Sequence, residues 1–471
     1  MRGNKRKAYE KENHDMRYRE YNPDQMHLLP VDMGEWLPDD HLSYFISELA
    51  DQLDLSAIYE SYDGSQGGQP PYHPLMMTKL LFYAYCVGVP SSRKIERKTY
   101  EDVAFRVLAA GEHPDHDTVS EFRHRHLRAL AGLFIQVLEL CRKAGLVKLG
   151  HVSLDGTKVK ANASKHKAMS YSRMKSRERE LERKVEELLK NAERVDAEED
   201  RRYGKGVRGD ELPEELRFHE SRLRKIKEAK AALEAEAKQL AEQKRQELKQ
   251  KDNKQKRGGK KRRGRKSRPP SEEPSGKAQR NFTDPDSHIM VDNSSKAFIY
   301  GYNCQAAVDE HRQIIIAAAT TQQAVDKKQM APMLKEIKKN VKVNPRKLCA
   351  DAGYYSEANV QLLNEEDVDS YIPSDKQRHN SQEIPSPRGR IPDSLSSAER
   401  MRRKLRTVKG RKVYAKRKEV VEPVFGQIKA VRGFRQFLMR GIEKVSAEWD
   451  LWCLTHNILK LFGSGWRPQQ A

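Results

Sequence analysis

The 471-residue chain reads as an α/β protein, a mixed sheet preceded by an all-helical segment and interrupted by a long helical, coiled-coil-like insertion. Three observations predict this. To about Val147 apolar residues recur at three- and four-residue intervals, whereas from His151 short β-branched runs alternate with amphipathic stretches. Between the first such run and the next lie two highly charged helical stretches, each with a narrow apolar seam.

The N-terminal helices are DDHLSYFISELADQLDL, with Asp40 as its expected cap, HPLMMTKLLFYAYCVG and HLRALAGLFIQVLELCRKAGL. Ahead of the last, YEDVAFRVLAAGEHPDHDTVSEFRHRHLRAL predicts a helix, a Gly and Pro break, and a short helix opened by Asp117 and carrying Ser120, Glu121, Arg123 and Arg125. A helix-turn-helix fits this pattern, and so do two core helices with a basic outer face.

The sheet begins with VSLDGTKVKANA, continues in AFIYGYNCQAAVDE and RQIIIAAATTQ, and after the helix KKQMAPMLKEIKKNV takes up KLCADAGYY. SEANVQLLNEE is a helix capped by Ser356, and DSYIPSD is a last strand. Strand, strand, strand, helix, strand, helix, strand is the order of a mixed α/β sheet. A polar linker is expected over 376–409, and then RKVYAKRKEVVEPVFGQIKAVRGFRQFLM and SAEWDLWCLTHNILKLF return to helix, with Trp449, Trp452, Leu454 and Leu459 as a core or interface stripe.

The insertion has three parts. Its seams, Leu181, Val185, Leu188, Ala192 and Val195 in one stretch and Leu216, Leu223, Ile226, Leu233, Ala237 and Leu240 in the other, predict an antiparallel hairpin or a coiled coil. Asp210 and Pro213 mark the second start. The third part, KDNKQKRGGKKRRGRKSRPPSEEPSG, is too cationic and too rich in Gly and Pro to assemble a core, and is expected to be disordered. Its charge suits DNA phosphates, although a localisation signal would look the same.

A formal charge of +22 and a pI near 9.6 point to a phosphate polyanion as partner. An anionic membrane would also attract such a chain, but there is no spanning apolar run, signal peptide or lipidation motif, so a soluble, cytoplasmic protein is expected. Cys86, Cys141, Cys304, Cys349 and Cys453 are widely spaced and odd in number, which suggests neither a disulfide framework nor a zinc pair and predicts buried free thiols.

Asp155, Asp351 and Glu422 stand in HVSLDGTKVKAN, KLCADAGYYS and KRKEVVEPVFGQIKAVRGFR. Two strand-end aspartates and a glutamate from a helix could hold two magnesium ions by hard oxygen donors, the arrangement needed for in-line attack on a phosphodiester. Each acid also has a plain structural use. Asp before Gly, or before Ala-Gly, makes turns, and Glu422 could pair with Lys418 on a helix surface. Asp284, Asp286, Asp309, Asp326 and Glu419 are competing carboxylates.

At these residues the chain resembles the DDE transposases of bacterial insertion sequences, in the branch with an InsH-type helical N-terminal domain. The likeness covers YHPLMMTKLLFYAYCVG, PDHDTVSEFR, DGTKVKANAS, TDPDS, GYNCQAAVDEH, ADAGYYS, VVEPVFGQIKAVRGFRQFLMRG and WDLWCLTHNILKLF in order. It implies an RNase H-like core with Asp155 on the first strand, Asp351 on the fourth and Glu422 on a later helix. Residues 1–147 would then be a helical DNA-binding domain, 148–168 the first strand of the core, 169–280 the insertion and 281–471 the rest of the core. The resemblance further implies catalysis and metal binding by the three acids, with two Mg2+ (or Mn2+) per site. The partners would be the inverted-repeat ends and target DNA, bound by a homodimer. Tyr414, a basic residue, Glu422 and Lys429 resemble the family's phosphate-contacting motif. Arg417 stands five before Glu422 where the family has four, and Lys418 stands four before. On an ideal helix Lys418 falls about 40° from Glu422 and Arg417 roughly 140°. Arg432, Arg435 and Arg123 complete the expected DNA-binding set.

Overall fold

The computed structural model describes residues 35–62, 70–203, 214–257, 269–292, 295–375, 386–390, 392 and 394–468. The helical segment comprises α1 (Leu42–Asp51), α2 (Ser56–Tyr59), α3 (Pro74–Cys86), α4 (Ser92–Glu101), α5 (Val103–Leu108) and α6 (His116–Lys143). His41, not Asp40, caps α1 by accepting from the Ser43 amide. Asp115, not Asp117, caps α6 through the Thr118 amide at 2.6 Å, and the expected short helix runs without a break into the next one. No proline intervenes and Phe122, Leu127, Leu130, Leu133 and Val137 keep one buried stripe, so nothing ends the helix at the point predicted.

The central sheet holds β1 (Val152–Lys160), β4 (His288–Val291), β5 (Phe298–Asp309), β6 (Ile315–Thr321), β7 (Lys347–Ala350) and β8 (Asp369–Tyr371), while β2 (Ala168–Ser170) and β3 (Gln279–Asn281) form a separate pair. Along its length β5 meets first β4 and then β6 on one side and β1 on the other, all antiparallel. On the far side of β1, β7 and then β8 run parallel to it. With α9 (Met330–Val341) between β6 and β7 and α10 (Glu357–Glu365) between β7 and β8, the expected core elements come in the expected order, and the short edge strand β4 is added to them ahead of β5. This is a mixed sheet of RNase H-like α/β type.

The insertion is a helical pair, α7 (Tyr171–Tyr203) and α8 (Glu214–Arg257), rooted on β2 and β3. Leu181, Ile226, Ala229 and Leu233 are buried between them, but Leu240 is exposed. Ala192, Val195, Leu216, Asp210 and Pro213 lie outside the described side chains. Of the basic run expected to be unstructured, 251–257 continue α8, since nothing before the first Gly pair opposes helix; 258–268 lie outside the described residues. The expected linker also contains a helix, α11 (Ser396-capped, Ser397–Arg406), closed by a capping box with Glu399. Only Met401 and Leu405 are buried in it, too few to mark an apolar period.

The last helices are α12 (Val408–Gly426), ending in a π-helical turn at Gln427–Val431, and α13 (Ile442–Gly463). Trp449 and Trp452 are fully buried, and the Trp449 indole donates to the Gln305 carbonyl at 3.0 Å. One continuous apolar cluster runs from Phe45 in α1 through α6 and the sheet to Leu461 in α13. All five cysteines are buried free thiols. Among the described residues no helix is long and apolar enough to cross a membrane.

α13 seals the β6 edge with its own polar side chains. Asn457 accepts from the Ile315 amide at 2.9 Å and donates to the Ile315 carbonyl at 2.8 Å, replacing a neighbouring strand. We expect Asn457→Leu to leave both groups unpaired and buried, costing about 2–4 kcal/mol and lowering the melting temperature by several degrees in a thermal scan; an unchanged melting point would contradict this.

Candidate active site

Asp155 is the fourth residue of β1, inside the strand rather than at its end. The parallel pairing of β1 with β7 stops at Leu154 opposite Ala350, so Asp155 and Asp351 are the next residues along two neighbouring strands. Strands lie about 4.8 Å apart, and this places the two acids side by side. Asp351 leaves β7 to cap a 3-10 turn, its Oδ1 accepting from the Gly353 amide at 2.8 Å. Glu422 comes from α12, which packs across β1, β5 and β7.

Arg417 joins these parts. Its guanidinium donates to Asp155 Oδ2 at 2.9 Å and stands 3.7 Å from Glu422 Oε1, and it lies 5.8 Å from the centre of the Tyr414 ring. Arg417 faces inward from the helix and its long side chain spans the angle that separates it from Glu422; Lys418 is exposed. Lys418 is nearer Glu422 in direction around an ideal helix, but the reach of the Arg417 side chain brings its guanidinium to that carboxylate.

The remaining basic residues divide. Lys429 donates to Thr157 Oγ1 and the Lys158 carbonyl, both at 3.0 Å, fastening the π-turn to β1 two residues beyond Asp155. Its burial pushes the amine below its ordinary pKa. Arg435 is exposed. Arg432 and Arg123, expected on a basic outer face, are buried instead. Arg432 donates to Thr455 Oγ1 and the Trp452 carbonyl, and Arg123 donates to the Pro90 carbonyl, so both are spent on packing helices together.

Asp326, in sequence one competing carboxylate among several, stands at this centre. Lying in the turn between β6 and α9, it accepts from Asn303 Nδ2 at 2.6 Å and Gln305 Nε2 at 2.9 Å, with Lys158 Nζ at 3.4 Å. The sequence holds a signal for its partners only: Asn303 and Gln305 are amides at alternate positions of a mostly apolar strand, and such amides need partners once buried. Of the other competitors, Asp284 and Asp286 clamp the start of α13 through the Gly441 and Ile442 amides, and Asp309 accepts from Leu149. Glu419 is exposed.

Electrostatically the centre carries excess negative charge. Burial raises the Asp155 carboxyl to about 6; Arg417 opposes this and Asp351 and Asp326 add to it. Asp351 is raised by burial and then by Asp326. Burial opposes the charge of Arg417, but Asp155 and its neighbours hold the guanidinium above its ordinary pKa. Among the described residues no three His, Cys, Asp or Glu side chains are grouped closely enough to hold one metal ion, and Arg417 occupies the space between Asp155 and Glu422. The donors nevertheless suit a hard divalent cation, being carboxylates whose charge a single guanidinium leaves undercompensated.

An RNase H-like sheet with aspartates on adjoining parallel strands and a glutamate on a crossing helix defines the class of phosphodiester-processing proteins with an acidic centre. The chain matches the family model described as a transposase domain over residues 31–125 and that of the transposase DDE domain over residues 241–458. Neither a curated protein nor a solved structure matches it. The chain is a DDE transposase of insertion-sequence type, a DNA-cleaving enzyme of a family that uses divalent metal ions. The second match begins within α8 and does not include β1, so Asp155 joins the centre on geometry alone.

The raised pKa of Asp155 has a consequence for stability. A folded value of about 6 against an ordinary 3.8 means the proton stabilises the fold fully below 3.8, and that this contribution is lost as pH rises through about 6. In chelator at pH 7.5 Asp155→Asn should therefore melt above the wild type, by at most about 3 kcal/mol of stability, with the gap closing towards pH 4. A variant that melts lower at pH 7.5 would show that Arg417 outweighs burial.

Proposed function

We propose that this transposase binds the terminal inverted repeats of its element, cuts there by metal-assisted phosphodiester hydrolysis, and joins the freed 3′ hydroxyl to target DNA by transesterification. Asp155, Asp351 and Glu422 are its catalytic, metal-holding residues. The observation that carries this reading is the adjacency of Asp155 and Asp351 on β1 and β7, with Glu422 tied to Asp155 through Arg417. Two magnesium ions, for which manganese can substitute, would neutralise charge on the attacking and leaving oxygens when bound.

The chain's own residues have separable tasks. The paired strands β1 and β7 fix the spacing of the Asp155 and Asp351 oxygens. Tyr414, Arg417 and Lys429 line the approach to the acids and would meet phosphates near the cleaved end, and Lys418 and Arg435 present further cations on the same segment. Residues 1–147 are assigned to end recognition, 148–168 and 281–471 to the catalytic core, and 169–280 to the insertion. Bringing two element ends together calls for a homodimer.

Incubating the purified protein with labelled inverted-repeat DNA and magnesium tests this directly. The expected products are an end nick followed by a joined strand; binding without nicking, or a nick never joined, contradicts the proposal. Asp155→Ala, Asp351→Ala and Glu422→Ala should each lower cleavage by at least about a thousandfold while end binding persists in a gel-shift assay. Loss of binding in all three would assign them a structural role. End binding should weaken steeply with salt, and replacing the Lys and Arg residues of 251–268 by Gln should lower that salt slope; an unchanged slope would make the run a spacer.

A further inference from the structure

We propose that Asp326 is a fourth carboxylate of the same centre and shares a divalent cation with Asp351, an inference that rests on the metal-dependent reading above. β1 and β5 pair so that Gly156 lies opposite Gln305 and Lys158 opposite Asn303, which puts all four on one face of the sheet. Asp326 covers that face. Its Oδ1 takes the Asn303 and Gln305 amides and the Lys158 amine, while Oδ2 makes no hydrogen bond among the described residues. Gln305 is itself fixed by the Tyr354 hydroxyl. One oxygen is therefore immobilised and the other left available.

The available oxygen and Asp351 flank the same position, that of Gly353. A Cβ on Gly353 would stand 2.9 Å from Asp351 Oδ1 and 3.6 Å from Asp326 Oδ2, so both carboxylates border one small space that glycine leaves open. Gly156 answers the same need from the other side, since a Cβ there would come within 2.4 Å of Gln305 Nε2 and 2.8 Å of Asp326 Oδ1. Neither glycine has a positive φ, and space accounts for both. The glycines of Asp-Gly and Asp-Ala-Gly thus make room for Asp326 and its cradle. Beside it Asn303 Oδ1 is a fully buried acceptor with no partner, 3.0 Å from that Gly156 position.

Two carboxylates facing one gap repel unless a cation lies between them. Arg417 serves Asp155 and Glu422, and Lys158 reaches the opposite oxygen of Asp326. A hard divalent ion meets the remaining need with two oxygens already oriented.

Manganese binding to the full-length protein, followed by electron paramagnetic resonance, tests this apart from activity. Asp326→Asn keeps an acceptor for the Asn303 and Gln305 amides but removes the charge, and it should weaken Mn2+ binding roughly tenfold or more, with melting temperature in chelator preserved and end binding unchanged. Gly353→Ala keeps every charge while filling the gap, and should weaken Mn2+ binding several-fold even if Asp326→Asn does not fold. Wild-type Mn2+ affinity in both variants overturns the proposal. If Asp155→Asn and Asp351→Asn also bind Mn2+ like the wild type, the metal-dependent reading itself fails; if those two lose binding and Asp326→Asn does not, only the role of Asp326 is lost.

Discussion

The pairing of Arg417 with Asp155 is the interaction on which the arrangement of the centre depends. Asp155 lies on the central strand of the sheet, where its carboxylate is largely withdrawn from water, and Asp351 and Asp326 add like charge beside it. An uncompensated buried charge costs several kcal/mol, so this strand can carry an ionised acid only if a cation comes to it. α12 brings that cation, and with it Glu422. The ion pair therefore fixes which face of α12 packs on β1, and Lys429 repeats the fastening farther along at Thr157. The cations of the centre thus also hold the helix bearing the glutamate in place.

Sheet order does the rest. The parallel β1–β7 pair sets Asp155 and Asp351 level, whereas the antiparallel β5 supplies Asn303 and Gln305 on the reverse face at the same height. Acids and amides thus meet around the end of β7, where the ladder stops and Gly353 opens the backbone. Elsewhere buried polar groups are spent on docking: Asp284 and Asp286 hold the start of α13, Glu448 accepts from the Leu438 and Met439 amides, and Asn457 closes the β6 edge. These groups keep α13 against the sheet, and α6 packs on α13 within the apolar cluster that the N-terminal helices share with the core.

The strand and helix order of the core was legible because its strands are apolar runs and its helices amphipathic, and each carries its own period. Helix ends were less so. Asp40 and Asp117 are as good caps in sequence as His41 and Asp115, and only packing decides between neighbours one or two residues apart. α11 escaped notice because two buried side chains make no stripe. In the site, Asp155, Asp351 and Glu422 could be named from local context, but Asp326 could not, since its partners come from β1 and β5, distant in sequence. Arg123 and Arg432 failed for the opposite reason. A guanidinium that donates to backbone carbonyls can be buried, and a count of charge does not reveal that.

The insertion shows how a long helical pair can enter such a core without disturbing it. β2 and β3 pair across its base, with Ala168 opposite Asn281, and the Tyr171 and Ser172 amides bond the Ala278 and Gly276 carbonyls, so the chain leaves and returns at one place. Closing a long loop at such a base costs little more than closing a short one, because the entropy grows only logarithmically with length. The returning helix then passes the centre: Glu247 of α8 stands 3.5 Å from Lys328, two residues beyond Asp326. That exposed pair contributes little stability, but it locates the last turns of α8 beside the turn that carries Asp326. The basic run begins one helical turn later, at Lys251. The start of that run on α8 therefore lies one turn from this pair rather than at the far tip of the insertion.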